Sequence, residues 1–205
     1  MKKIVMLGIV LIAMIFVVSC ATKPKKGPEP VEKAVSKAPE SEYKEAKELR
    51  AKIAQYDLAR YAQGDFDKAE GSFKEGESLY DKDNDKSKTA LKEAIAGYKK
   101  VIEIGFPAYL DDKIYVVEDV KQEAENLKAP VAVKSEYKSA NAVYEDALKN
   151  KEKGNYEKSS EQLDDALDQF QSVYDMTLAK MEKAEQNLAE ANAMIEELEA
   201  AAAME

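Results

Sequence analysis

Few side chains in this sequence have the chemistry that catalysis needs. The 205-residue chain contains one cysteine, Cys20, and no histidine, so it lacks the usual zinc ligands and the commonest general base. Carboxylates are abundant, but 35% of the residues are charged, and carboxylate pairs arise by chance at that density. The sequence therefore predicts a protein that is not an enzyme and that needs no metal and no other non-covalent cofactor.

Three alternating aspartates, Asp81, Asp83 and Asp85, match the start of a calcium-binding EF-hand loop. In that loop the sixth position is a glycine that allows a sharp turn, and the twelfth is a glutamate that binds the ion through both oxygens. Here Lys86 and Lys92 occupy those positions. The run instead predicts a polar turn that caps the helix after it.

The single cysteine lies directly after an apolar segment. That segment, residues 4–18, carries no charge and is short for a membrane-spanning helix, which needs about 20 apolar residues. It ends in the order Val17, Val18, Ser19, Cys20. This order resembles the lipobox of bacterial lipoproteins, which implies that residues 1–19 are a signal peptide and that Cys20 receives a diacylglycerol. An ordinary cleaved signal and an uncleaved single-span anchor are the alternatives.

Lipidation of Cys20 would fix the location of the protein, because two or more acyl chains are enough for stable membrane anchoring. The resemblance thus implies a bacterial cell-envelope protein. Ala21 follows the cysteine in place of the aspartate that signals inner-membrane retention in some bacteria, which favours the outer membrane, at its periplasmic face or its surface. The net charge of −9 argues against nucleic acid as a partner, since phosphate binding needs a basic face.

The composition changes at about residue 41. Residues 20–40 contain four prolines and several lysines, which predicts an extended linker without a core. From there Ala, Glu, Lys and Tyr recur at helical spacing, and no segment alternates with a strand period. The predicted fold is all-α, with a helical body over 41–184 and the distal end of a long C-terminal helix over 185–205. Breaks at Gly and Pro positions predict helices over 41–62, 66–80, 87–104, 110–127, 131–152 and 156–203.

Two short sequences recur and predict a degenerate duplication. Ser41–Lys44 matches Ser135–Lys138, and Gly64–Ala69 matches Gly154–Ser159, at offsets of 94 and 90 residues. In each copy of the second sequence we expect a left-handed glycine to end one helix, a capping side chain to begin the next, and an aromatic ring to pack the corner between them. These roles fall on Gly64, Asp65 and Phe66 in the first copy and on Gly154, Asn155 and Tyr156 in the second.

The segment from Tyr61 to Ala69, followed by Phe73, resembles the centre of the tetratricopeptide repeat (TPR). The resemblance implies antiparallel helical hairpins with a concave face that binds peptides. Carried onto this sequence, that face would contain Ala54, Leu58, Tyr61, Tyr144, Leu148 and Lys151. The lipobox, the proline-rich spacer and the helical hairpins together also resemble lipoprotein antigens of spirochaetes, in particular the treponemal ones, which implies a location more than an activity.

The last helix carries the clearest periodicity in the sequence. Leu167, Tyr174, Met181, Leu188, Ile195 and Ala202 recur every seven residues, with Phe170, Thr177, Ala184, Ala191 and Leu198 as the companion set. Such a pattern is typical of a coiled-coil seam. It is either the core face of a terminal bundle helix or a surface that pairs with another copy or another protein.

These observations lead to one functional expectation and two alternatives. The sequence predicts a membrane-anchored envelope lipoprotein that acts as a non-enzymatic scaffold or adaptor for envelope proteins. One alternative is a ligand-binding accessory lipoprotein of a solute transporter, which would need a deep apolar pocket. The other is a structural tether or surface antigen that forms homo-oligomers through its C-terminal helix.

Overall fold

The computed structural model describes residues 36–204. The lipobox, Cys20, the predicted signal peptide and most of the predicted linker lie outside the described residues. The described residues all belong to one compact unit. The elements of the described part are α1 Glu40–Gln55, a 3₁₀ helix Leu58–Tyr61, α2 Gln63–Leu79, α3 Asn84–Asn126, α4 Ala129–Ala132, α5 Lys134–Glu152 and α6 Tyr156–Ala202.

The predicted all-α class and the long C-terminal helix are confirmed for this part of the chain, in which every regular element is helical. Three predicted breaks are also confirmed. The aspartate run separates α2 from α3, α3 ends just before Ala129–Pro130, which begin α4, and Gly154–Asn155 separate α5 from α6. Gly154 has the left-handed conformation expected of it, with φ of 74°. Asp83 is the N-cap of α3 and accepts a hydrogen bond from the backbone N–H of Lys86, so the aspartate run forms a capping turn.

Two other predicted breaks are wrong. No break occurs at Gly105–Phe106–Pro107, which lie in the middle of the uninterrupted 43-residue helix α3. Gly105 instead allows close packing, because a Cβ there would lie 2.9 Å from the Cβ and carbonyl oxygen of Leu58. Pro107 removes the N–H that would bond to the carbonyl of Glu103, a residue exposed to water that can solvate this group.

The predicted break at Gly64–Asp65 lies instead several residues earlier. Asp57 takes the left-handed conformation, with φ of 51°, while Gly64 lies in the first turn of α2 without a positive φ. Asp65 does not cap that helix; it forms an ion pair with Lys100 at 2.9 Å. Asn155 does occupy the N-cap of α6, but its side chain bonds to Asn150 and not to the helix backbone.

The described chain contains a tandem duplication of a three-helix unit, different from the predicted one. The first repeat consists of α1, α2 and the first half of α3, and the second consists of the second half of α3, α5 and α6. Lys128, with φ of 68°, lies 71 positions after the left-handed Asp57, and each precedes a single helical turn. The N-caps of α2 and α5, Ala62 and Val133, are also 71 apart and have closely similar backbone angles.

The buried side chains of the third helices repeat at an offset of 72 residues. Ser87 donates to the carbonyl of Gly76 at 2.8 Å, and its counterpart Ser159 donates to that of Ala147 at the same distance. The further buried pairs are Leu91 with Leu163, Ala94 with Ala166, Tyr98 with Phe170, and Val101 with Val173. The sequence matches at offsets of 94 and 90 are therefore coincidental: Ser41–Lys44 begins a first helix, whereas Ser135–Lys138 begins a second helix.

Each repeat has its own apolar core, and an aromatic cluster joins the two. The cluster consists of Tyr56, Phe106, Tyr109 and Tyr156, with ring centroids 4.7 Å apart between Tyr56 and Phe106 and 5.5 Å apart between Phe106 and Tyr156. Tyr109 and Tyr156 pack against both cores. Tyr156 thus packs a helix junction as predicted, whereas Phe66 lies inside α2, not at a corner, and packs against the first core alone.

Candidate protein-interaction site

The residues predicted to bind peptide do not form one accessible surface. Leu58 is fully buried in the first core and Tyr144 is buried in the second, where its hydroxyl donates to Glu118 at 2.7 Å. Leu148 packs against the second core, and Lys151 forms an ion pair with Asp111. A peptide on the surface would therefore not touch Leu58, and Tyr144 and Lys151 already have partners within the chain.

Ala54 is exposed and lines an open groove with Arg50 and Phe66, and the last member of the set, Tyr61, lies beside a second groove. Its hydroxyl donates to Asp112 at 2.5 Å, and the guanidinium of Arg60 stacks on its ring. Arg60 and Asp112 also line a groove of about 270 Å³ between α3 and α6. The remaining lining residues are Tyr109, Lys113, Val116, Val117, Leu163, Asp164 and Leu167. Lys113 forms an ion pair with Asp164 at 2.5 Å, and Arg60 forms one with Asp112 at 3.1 Å. The charged residues that line this small groove therefore already have partners.

Buried and half-buried tyrosines bridge neighbouring helices through carboxylates. Tyr98 donates to Glu70 at 2.6 Å, and Tyr137 donates to Glu125. Burial is the main cause and the hydrogen bond to Glu125 the second, and together they raise the pKa of Tyr137 to about 12. Burial and the hydrogen bond to Glu70 likewise raise the pKa of Tyr98. These phenols stay protonated near neutral pH and hold helices together. Among the described residues, no cluster of three or more carboxylate or cysteine side chains could hold a metal ion.

The seam of α6 changes from buried to exposed at Thr177. Phe170, Val173 and Thr177 are buried in the second core, and Lys180 reaches back to donate to the carbonyl of Ala132 at 2.6 Å. From Leu178 to Met204 every residue is exposed. The helical part of this distal segment, 178–202, is about 37 Å long at 1.5 Å per residue. The helix thus continues for about seven turns without cover from the described chain.

The exposed part of the seam carries large apolar side chains. Met181, Leu188, Ile195 and Leu198 are between 39% and 69% exposed, and Met194 lies beside them. We call these five residues, together with Ala184 and Ala191, the distal stripe. Exposed apolar surface that is contiguous and periodic marks a binding surface more often than scattered apolar residues do.

The rest of the distal segment is polar and favours helix. Between 178 and 204 there are two lysines, six glutamates and nine alanines. Alanine and glutamate are strong helix formers, so the segment needs no partner to stay helical once the body anchors its first turns. Helix propensity therefore explains the alanines and glutamates. It does not explain the large apolar side chains of the distal stripe, which have no contact role within the described chain.

No known protein family matches this chain, and no characterised protein or solved structure is significantly similar to it. The likeness to spirochaetal lipoproteins with TPR-like repeats stays a prediction. None of the helices in residues 36–204 contains an apolar stretch long enough to cross a membrane. The candidate site therefore rests on the geometry of α6.

The sequence shows the heptads of the distal stripe, but it does not show the residue at which α6 ceases to be covered by the body. That point depends on where α5 begins, at Lys134, because α5 runs antiparallel to α6 and covers it only as far as its own first turn. The junction cluster around Phe106 was missed as well. The sequence signal for this cluster is the pair of aromatic residues, Phe106 and Tyr109, on either side of Pro107.

Proposed function

We propose that this protein is a lipid-anchored lipoprotein of the bacterial cell envelope, in the outer membrane, that acts as a non-enzymatic scaffold for other proteins. In this proposal Cys20 carries the acyl anchor, the α2–α3 and α5–α6 pairs are TPR-like hairpins that form a packed body, and the distal segment of α6 binds a partner. The observation that supports it best is the distal stripe, a preformed apolar helix face that no described residue covers.

The packing of the body also favours a scaffold over a carrier of small molecules. Each core is a continuous cluster of buried apolar side chains, and every buried polar side-chain atom in the described part has a hydrogen-bond partner. The grooves found between the helices are open to solvent. A transporter accessory would need an enclosed pocket of a few hundred Å³ to bury its ligand.

The binding role can be tested by site-specific photo-crosslinking in cells that make the full-length protein. A photoreactive residue at Leu188, on the distal stripe, should capture a protein partner, whereas one at Ala193, on the opposite face of the same helix, should not. Equal capture at both positions, or capture at neither, would refute the scaffold function. The anchor is tested separately, since Cys20→Ser should abolish metabolic labelling with palmitate.

A further inference from the structure

The residues along the two edges of the distal stripe distinguish between its possible partners. In heptad terms Met181, Leu188 and Ile195 are a positions, and Ala184, Ala191 and Leu198 are d positions. The flanking e positions hold Glu185, Asn192 and Glu199, and the flanking g positions hold Lys180, Asn187 and Met194. In a coiled coil these flanking residues set partner choice and orientation.

We propose that the distal stripe pairs with the same stripe of a second copy of this chain, with the two helices parallel and in register. The proposal rests on the proposed role of the stripe as a protein-binding surface, and it does not depend on where the chain is anchored. It names the partner, the orientation and the register of that interaction.

The parallel arrangement matches every flanking residue without a like-charge contact. In a parallel pair each g residue faces the e residue five positions later in the other chain. Lys180 then faces the partner's Glu185, and because its ammonium has three donors it can keep its bond to the carbonyl of Ala132 while it contacts that carboxylate. This attractive pair occurs twice in the dimer. Asn187 faces the partner's Asn192, and two amides can exchange hydrogen bonds. The apolar Met194 covers the methylene groups of the partner's Glu199.

Antiparallel arrangements lack these matches, because they place e beside e and g beside g. With Met181 opposite the partner's Leu198, Glu185 faces an asparagine and no opposite charges meet. A shift of one heptad in either direction brings Glu185 beside the partner's Glu185 or Glu199. Like charges so placed are destabilising, so the flanks favour the parallel form.

The seam itself fits a close but modest association. Ala184 and Ala191 let the two helix axes approach, while four larger side chains per helix supply the apolar contact. The helix is already formed, so pairing does not carry the entropy cost of folding it. We therefore expect a dimer that dissociates on dilution.

Disulfide trapping tests both the partner and the orientation. The full-length chain carrying Cys20→Ser has no native thiol, and Ala184→Cys or Ala202→Cys then adds one at a seam position. The two positions are 18 residues, or about 27 Å, apart along the helix. A disulfide needs Cα atoms within about 7 Å of each other. A parallel dimer in register forms the disulfide at both positions, whereas any single antiparallel register allows at most one.

Matched variants separate pairing through the stripe from pairing elsewhere. Leu188→Glu added to either cysteine variant should reduce the trapped dimer at least tenfold, and Ala193→Glu, which adds the same charge on the opposite face, should not. Trapping at only one cysteine position, no trapping at either, or trapping that survives Leu188→Glu would overturn the proposal. Photo-crosslinking at Leu188 that captures only other proteins would also overturn it while leaving the scaffold function intact. Capture of a second copy alone would support the pairing and refute the scaffold function.

Discussion

Glu70 offers a sharp test of how the first repeat is held together. Its carboxylate accepts two hydrogen bonds from Arg50, at 2.6 and 2.9 Å, and one from the hydroxyl of Tyr98 at 2.6 Å. Tyr98 lies fully inside the core, while the Arg50 side chain is 48% exposed. Glu70→Ala removes the partner of a buried donor and of a solvated cation at the same time.

The two losses differ in size. A buried hydroxyl left without a partner costs about 1–3 kcal/mol, because water cannot replace the carboxylate there. The half-exposed Arg50 is rehydrated, and ion pairs of that kind contribute roughly 1 kcal/mol or less. We therefore expect Glu70→Ala to lower the free energy of unfolding by about 2–3 kcal/mol. Glu77→Ala is the matched control: Glu77 is seven residues further along α2 and accepts from the exposed hydroxyl of Tyr43, so its loss should cost about 0.5 kcal/mol.

The measurement is urea unfolding of the full-length chain followed by circular dichroism at neutral pH. Tyr98→Phe removes the buried hydroxyl, so the Glu70→Ala and Tyr98→Phe double variant should lose less than the two single losses combined, by about 1 kcal/mol or more. If Glu70→Ala costs no more than Glu77→Ala, or if the two losses simply add, the buried hydrogen bond does not carry the stability that its geometry suggests.

Three further predictions concern the duplication, the glycines and acid pH. Leu91→Ala and Leu163→Ala, at equivalent and fully buried positions, should each lower the free energy of unfolding by about 2–5 kcal/mol in the same urea assay; a loss at one position alone would contradict their equivalence. Gly71→Ala should stabilise α2 by up to about 1 kcal/mol, because the site is open, whereas Gly97→Ala should destabilise α3, because its Cβ would lie 2.7 Å from that of Ala69. A thermal melt that ranks these two variants in the opposite order would refute the close packing. Burial acts to raise the pKa of Glu70, but the hydrogen bonds from Arg50 and Tyr98 outweigh it and leave the pKa below its ordinary value of 4.5. The stabilisation from this carboxylate is thus present above pH 4.5 and is lost as pH falls through the lower folded pKa, so Glu70→Gln should flatten the acid side of the stability curve.

Local chemistry explains the parts of the fold that the sequence predicts well. The aspartate run, Ala129–Pro130 and Gly154–Asn155 end or begin helices through capping, a missing N–H and a left-handed glycine, and none of these depends on distant residues. Gly105 does not end a helix as the sequence predicts, because its role is tertiary: it makes room for Leu58, which is 47 residues earlier in the chain. Asp57 was missed because no glycine marks its left-handed conformation.

The duplication was hidden because the two repeats share few identical residues, although their cores share a pattern. Alanine, then an aromatic residue four positions later, then a small or β-branched residue three positions after that, occurs once in each second and third helix. The four instances begin at Ala69, Ala94, Ala140 and Ala166. The two repeats thus share residue types at their buried positions and few identical residues. The TPR resemblance places Leu58 and Tyr144 on a binding face, but both are buried, in keeping with the rule that periodic Leu and Tyr mark a core more often than a surface.

Because α3 runs through both repeats, it couples their unfolding. In arrays whose repeats meet only at an interface, each repeat can unfold with some independence. Here one helix is the third member of the first repeat and the first member of the second, and Phe106, near its midpoint, contacts Tyr56 from one repeat and Tyr156 from the other. Opening either core would uncover this cluster, so the two repeats should unfold together. Because Tyr156 begins α6, the same coupling anchors the helix that carries the distal stripe.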